Sequence, residues 1–333
     1  MTDLDLVLMS SDHDTVDSVA EQAVRAEEHG FGRVSMGETT GWNIVPVMTV
    51  IAERTDDIGI SDDVISPFSR APTTLAQTAL TLHDVTDGRF RLGLGPSSPA
   101  IAEGWHAGDF ERPLRRLRET VDVIREVYDG GDVDYDGEVY DVGGLSYDRD
   151  VPDEPPGVDL ATLGPKATEL AGRFADGWVP QLFTPDALRD RLEDLERGAD
   201  LGDRDPDDLR VSPIVRTCVS EDREYARAIT RQMVAFLIGA YGPFYGDSVA
   251  EQGYEEMVAE IRSAWEDRDT AAMADALTDE ALDELAAAGT ADEVCERIER
   301  MGAVDGVDAV RVGFVGGMTQ EDKETTMAAL ADL

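Results

Sequence analysis

Short apolar runs alternate along the chain with longer stretches whose hydrophobic positions recur at helical spacing. Leu4–Met9, Phe31–Met36, Ile58–Ser66 and Arg89–Leu94 read as strands. Val16–His29, Val45–Arg54, Pro72–Val85 and Leu114–Tyr128 read as the helices that follow them, with Gly30 closing the first and Pro72 opening the third. Asp159–Leu163, Gly177–Pro180 and Leu209–Arg216 are three further strands with helices behind them, and Val307–Val315 is the last, followed by a helix over Gln320–Leu330. Strand–helix alternation implies parallel strands joined by right-handed crossovers. Eight such units predict an α/β fold of the (β/α)8 TIM-barrel type; a doubly wound open sheet is the alternative. Two segments interrupt the repeat: a hairpin and Pro-rich loop at about 130–157, turning at Asp136-Gly137, and a polar helical insertion at about 250–290 after the seventh strand. The 333 residues suit two ordinary domains or one barrel with insertions, and the repeat favours a single domain over 1–333.

Charge then narrows the function. Asp and Glu number 71 against 29 Lys and Arg, a net charge of −42, which excludes the basic footprint of nucleic-acid binding and attraction to an anionic membrane. Such charge can mean disorder, but 42% of the residues are hydrophobic and fall in regular segments. The composition instead resembles that of cytoplasmic proteins of extreme halophiles, whose acidic surfaces are screened by molar salt. Cys218 and Cys295 belong to no disulfide or zinc pattern. The N-terminal residues lack a signal-peptide pattern and no run of 18 apolar residues occurs, so a soluble cytoplasmic protein is expected.

In a barrel the chemistry sits at the C-terminal ends of the strands. Those ends carry Ser10-Ser11, Gly37–Gly41, Val64–Arg70, Gly95–Ser98, Leu163–Lys166, Gln181 and Gly316-Gly317. Glycines and hydroxyls suit a bound cofactor approached by backbone N–H groups better than a nucleophile and base. Lys166, one of two lysines in the chain, falls in the first turn of a helix, where it opposes the helix dipole. An anion beside it would account for that placement; an exposed lysine without a role is the alternative. There is neither a GxGxxG nor a GxSxG pattern, and none of His13, His29, His83 and His106 pairs at metal-ligand spacing. His106, beside Trp105 after the fourth strand, either reaches the site or packs its loop.

Several segments together resemble the bacterial luciferase-like superfamily. They are Asp87–Gly95 (DGRFRLGLG), Arg112–Tyr140 (RPLRRLRETVDVIREVYDGGDVDYDGEVY) and Leu163–Trp178 (LGPKATELAGRFADGW). Ile65–Pro72 and Val234-Ala235-Phe236 with the helices after them are similar to its deazaflavin-dependent branch, which includes methylenetetrahydromethanopterin reductase. The resemblance implies a (β/α)8 barrel that binds coenzyme F420 and transfers hydride at the face of the deazaflavin. It places a bulge with a non-prolyl cis peptide at Asp63-Val64 under the ring, followed by Ile65 and Ser66. It places the anionic tail near Gly95, Pro96, Ser97 and Ser98 and near Leu163, Gly164, Pro165 and Lys166, with Arg70 as a further anion contact. The branch's acid in strand one corresponds to Val7, its Asp-His after strand two to Glu38-Thr39, and its acid after the strand-four glycines to Ser98. Glu38 is then the remaining candidate for catalytic proton handling or substrate contact, with a structural hydrogen-bonding role as the alternative.

Three readings follow. The first is an F420-dependent oxidoreductase acting on a small organic substrate, resembling methylenetetrahydromethanopterin reductase. The second is an FMN-dependent monooxygenase, and the third a non-catalytic barrel that binds an anionic cofactor. A homodimer is expected from the superfamily; a metal, a nucleic acid and a membrane are not.

Overall fold

A computed structural model describes residues 3–331 and 333. Its first half alternates β1 (Asp3–Leu8), α1 (Val16–Glu28), β2 (Arg33–Met36), α2 (Ile44–Arg54), β3 (Gly59–Asp62), α3 (Pro72–Val85) and β4 (Phe90–Leu94). A short α4 (Pro99–Gly104) precedes α5 (Pro113–Asp129) and the hairpin β5 (Asp132–Asp136)–β6 (Asp141–Ser146). The repeat resumes with β7 (Val158–Leu160), α6 (Pro165–Phe174), β8 (Gly177–Trp178), α7 (Pro185–Leu201), β9 (Arg210–Val211), β10 (Ile214–Val219) and α8 (Arg223–Gly239). Helices α9 (Pro243–Val249), α10 (Glu255–Glu266), α11 (Thr270–Ala276) and α12 (Asp279–Leu285) lead to β11 (Ala286–Gly289), α13 (Ala291–Gly302), β12 (Ala309–Gly313) and α14 (Gln320–Leu330).

Ten strands form one curled parallel sheet in the order β11-β10-β12-β1-β2-β3-β4-β7-β8-β9. The sheet returns on itself, because β9 pairs with β8 while β10, two residues further along the same stretch, pairs with β12. A bridge from Gln181 to Ile214 links the two edges. The break falls at Ser212-Pro213: proline has no N–H to give the ladder, so the predicted strand over Leu209–Arg216 is divided and runs on to Val219. Outside the sheet, strand residues such as Val34, Ile60 and Leu92 pack with Ile51, Leu75 and Ile124 of the helices, all fully buried. Each such side chain contributes about 1.5–3 kcal/mol of transfer free energy.

Inside the curl the lower layer is charged. Asp5, Arg33, Arg91, Asp159, Arg210 and Arg311 come from β1, β2, β4, β7, β9 and β12. Arg311, fully buried, donates to Asp63 (2.5 Å) and to Ser212 Oγ (2.8 Å), with Asp159 at 3.6 Å and Asp5 at 3.9 Å. Arg210 pairs with Asp5 at 2.9 Å, and Arg91 with Asp159 through two nitrogens. Burial alone would raise the Asp159 carboxyl; Arg91, then Arg311 and Arg33, outweigh it and hold it below the usual carboxylate range.

The structure corrects two expectations. The hairpin loop is the four-residue stretch 137–140, closed by Gly137 N–H to Tyr140 O, and not a two-residue turn at Asp136-Gly137. The cause is Glu119 on α5, a buried carboxylate that accepts the N–H groups of Glu138, Val139 and Tyr140 at 2.8–3.1 Å. The segment at 250–290 is helical only to Leu285, because Ala286–Gly289 pairs in parallel with β10. Helices α9–α12 share a second core with α8, including Val234, Ile238, Ile261 and Leu282.

Replacing Glu119 by Ala leaves three N–H groups without their acceptor. The expected result is a cost of about 1–3 kcal/mol and faster amide exchange confined to 137–140, measured by urea unfolding and hydrogen–deuterium exchange.

Candidate active site

Strand β3 ends at Asp62 because the chain bulges there, with a cis peptide bond joining Asp63 and Val64. Glycines on both flanking strands make the bulge possible. A Cβ at Gly37 would overlap the carbonyl oxygen of Asp63, one at Gly93 that of Asp62, and one at Gly95 would lie 2.6 Å from Val64 Cγ2. Asp62 holds the bulge from one side, accepting the N–H groups of Ile65 (2.9 Å) and Gly93 (3.0 Å); burial pushes its carboxyl well above the usual range. Asp63 holds it from the other, accepting from Ser35 Oγ at 2.6 Å and from Arg311. Val64 is thereby presented to a cavity of about 680 Å³ at the C-terminal ends of the strands.

One end of the cavity is made by Gly95-Pro96-Ser97 and Leu163–Lys166. Helix α6 starts here on Pro165, with Gly164 at its cap position and no side chain capping it; proline has no N–H and the Ala167 N–H donates to Gly164 O, so the Lys166 N–H is the first-turn donor left for another acceptor. The space over Gly164 is open. Lys166 is exposed and, among the described residues, forms no ion pair. Two buried hydroxyls on the cavity wall, Thr162 Oγ1 and Ser248 Oγ, have no hydrogen-bond partner.

The opposite wall is aromatic. Gly242, at φ +95°, and Pro243 break the chain after α8 and start α9, which brings Tyr241, Phe244 and Tyr245 to the cavity. Behind Tyr245 lie Gln181 and Arg216, 6% and 8% exposed. Burial raises the phenols of Tyr241 and Tyr245, the latter to about 12 against an opposing pull from Arg216.

Glu38 lines the cavity and is held by three hydrogen bonds. Its two oxygens accept from Arg70 at 2.6 and 2.8 Å, and one also accepts the Ile44 N–H at 2.9 Å, at the start of α2. Both side chains of the pair are nearly buried, at 11% and 13% exposure.

Of the residues singled out from the sequence, Glu38, Asp63, Val64, Ser66, Gly95, Pro96, Ser97, Leu163, Gly164, Pro165 and Lys166 line this one cavity. Three do not. Ile65 is buried and bridges to Leu94, Arg70 is turned to Glu38, and Ser98 is buried at the start of α4. None of the four histidines lines the cavity, and His29 pairs with Glu324. Among the described residues no cluster of metal-ligating side chains occurs. Sequence reasoning missed Thr162, Arg216, Tyr241, Phe244, Tyr245 and Ser248. The break Tyr241-Gly242-Pro243-Phe244-Tyr245, one aromatic before a Gly-Pro and two after it, was the available signal for the wall.

Residues 5–308 match the family model described as luciferase-like monooxygenase. A protein of Mycobacterium tuberculosis named as a coenzyme F420-dependent oxidoreductase is 29% identical over 83% of this chain and 84% of its own length. The 5,10-methylenetetrahydromethanopterin reductase of Archaeoglobus fulgidus is 27% identical over 83% of each chain. The coenzyme F420-dependent tetrahydromethanopterin reductase of Methanopyrus kandleri superposes with a TM-score of 0.85 at 22% identity, over 99% of this chain and 97% of that one.

Proposed function

The chain belongs to the luciferase-like monooxygenase family, and from that premise we propose that it is a coenzyme F420-dependent oxidoreductase. It transfers a hydride between the deazaflavin and a small organic substrate, in the manner of the methylenetetrahydromethanopterin reductases it is similar to. The observation that carries the reading is the polarity of the cavity. One end offers an unpaired lysine, the free Lys166 N–H at the start of α6 and the orphaned Thr162 hydroxyl, and the opposite wall carries Tyr241, Phe244 and Tyr245. A flat aromatic ring with a phosphorylated tail has that division. In this reading Gly164, Lys166 and the Gly95–Ser97 loop hold the anionic tail, and Val64 carries the ring. The cofactor supplies two-electron hydride chemistry; the protein supplies orientation and exclusion of water.

The same reading takes residues 1–333 as one (β/α)8 barrel. β9 and β10 count as its seventh strand, and the insertions follow the fourth helix and the seventh strand. It also takes the protein as a homodimer in a salt-rich cytoplasm. The net charge of −42 then makes thermal stability rise with KCl through the molar range, as followed by circular dichroism.

The test is a titration in molar KCl with coenzyme F420 and with FMN, each followed by tryptophan quenching. Tighter binding of F420 is the expected result. Preference for FMN would move the reading to a monooxygenase, with oxygen uptake as the next assay. Binding of neither would overturn it.

A further inference from the structure

Going round the curled sheet, β10 lies four strands from β3 in either direction. Gln181, at the end of β8, and Arg216, on β10, therefore stand across the mouth from the Val64 bulge. A flat molecule resting on Val64 turns its free face toward them and toward Tyr245.

The hydrogen bonds on that side have a direction. Arg216 has no carboxylate partner among the described residues; apart from a 3.4 Å contact of its Nη1 with the Phe314 carbonyl, its donors face Gln181. With the Gln181 amide turned so that its oxygen faces the guanidinium, Arg216 Nε and Nη2 both donate to it, at 2.7 and 2.8 Å. The opposite orientation would set the amide N–H groups against the guanidinium N–H groups. The amide nitrogen is then 3.3 Å from the Tyr245 hydroxyl and must donate to it, since it has nothing to accept with. The Tyr245 oxygen becomes the acceptor of that bond, and its proton is left for an acceptor inside the cavity.

Resting on the reading above that the cavity joins a hydride carrier to an organic substrate, we propose that Tyr245 is the catalytic proton donor to a carbonyl substrate. Arg216 and Gln181 are positioning residues that fix the direction of its O–H bond. The substrate class is then a ketone or aldehyde, with the corresponding alcohol as product. As hydride adds to the carbonyl carbon, the C=O π pair moves to oxygen, and that oxygen takes the Tyr245 proton. The phenolate is reprotonated through solvent, the balancing proton being the one released when the dihydrodeazaflavin is oxidised. Glu38 does not compete for the role, because its oxygens are held by Arg70 and the Ile44 N–H. A phenol held in its protonated form by its surroundings is a donor throughout the neutral range and yields its proton only to a stronger base, such as a forming alkoxide.

The test uses the full-length protein in molar KCl with reduced F420 and three carbonyl probes: acetone, cyclohexanone and benzaldehyde. Tyr245→Phe is expected to lower kcat about 100-fold on the probe that is reduced best, and to change Kd for F420 by less than 3-fold. Gln181→Glu separates direction from structure. It keeps the size of the side chain and gives Arg216 a full ion pair, but it replaces the amide donor by an acceptor, so the Tyr245 proton turns away from the cavity. The expected result is a loss of kcat similar to that of Tyr245→Phe, with Tm unchanged or higher and Kd for F420 unchanged. A merely structural role would lower Tm and kcat together in Tyr245→Phe and leave the turnover of Gln181→Glu intact, which would overturn the proposal. Tight F420 binding with no carbonyl probe reduced would overturn it while leaving the proposed function standing. Absence of F420 binding would overturn both.

Discussion

Replacing Arg311 by Met is expected to destabilise the protein by about 3–5 kcal/mol, the range for breaking a buried ion pair by removing one partner. The guanidinium is fully buried and meets three aspartates, at 2.5 Å (Asp63), 3.6 Å (Asp159) and 3.9 Å (Asp5). Met fills most of the volume but leaves those carboxylates in the interior with less compensation, and Ser212 Oγ loses its donor. Arg210→Met is the comparison. That side chain is 24% exposed and pairs with Asp5 alone, so water replaces part of what is lost and the cost is smaller. Urea unfolding in molar KCl measures both, and equal costs would show that the layer is not organised around Arg311.

The acid limb of stability follows from the same layer. The Asp159 carboxyl is depressed in the folded state, so its contribution is present above the unfolded value of about 3.9 and is lost as pH falls through the lower folded value. Arg311→Met removes one of the charges that depress it. Its acid unfolding should begin at higher pH than that of the unchanged protein, as read from far-ultraviolet circular dichroism during acid titration.

The parts legible in the sequence were those set by local periodicity. The strands and helices around Val34, Ile60 and Leu92 follow from apolar spacing, because each buries one face against its neighbour. The glycines at 37 and 95 stood out as small residues at strand ends, and the resemblance put the cis peptide at Asp63-Val64, where the structure has it. What was not legible depends on partners distant in sequence. The turn at 137–140 is shaped by Glu119 some twenty residues earlier, and nothing within Asp136-Gly137 reveals that acceptor. Ala286–Gly289 has the composition of a helix and becomes a strand because β10 offers an open edge. The charged interior was hidden for a related reason. Asp5, Arg91 and Arg311 each look like ordinary members of an acidic, arginine-bearing chain until register sets Asp5 beside Arg311 and Asp159 lies against both Arg91 and Arg311. Arg216 and Tyr245 lie 29 residues apart, and only the break at Gly242-Pro243 brings the second over the first.

Glu38 is where the two kinds of reading meet, and a double-mutant cycle with Arg70 decides its role. Glu38→Gln and Arg70→Met are each expected to cost about 2–4 kcal/mol, since the pair is bidentate and nearly buried and either change strands a charge. The double variant should cost clearly less than the sum, because it removes both charges; the coupling expected for such a contact is about 1–3 kcal/mol. Glu38→Gln retains an oxygen for the Ile44 N–H, which keeps the start of α2 in place and lets the protein fold for assay. A proton-handling Glu38 predicts that turnover collapses in Glu38→Gln and in the double variant alike, and that its pH dependence changes. A structural Glu38 predicts that turnover tracks the folded fraction, so that the double variant, freed of the stranded charge, is the more active of the two. The geometry favours the second outcome. Two guanidinium N–H groups and a backbone N–H tie the Glu38 carboxylate to Arg70 and the start of α2, whereas the hydroxyl of Tyr245 across the cavity has its proton free to give.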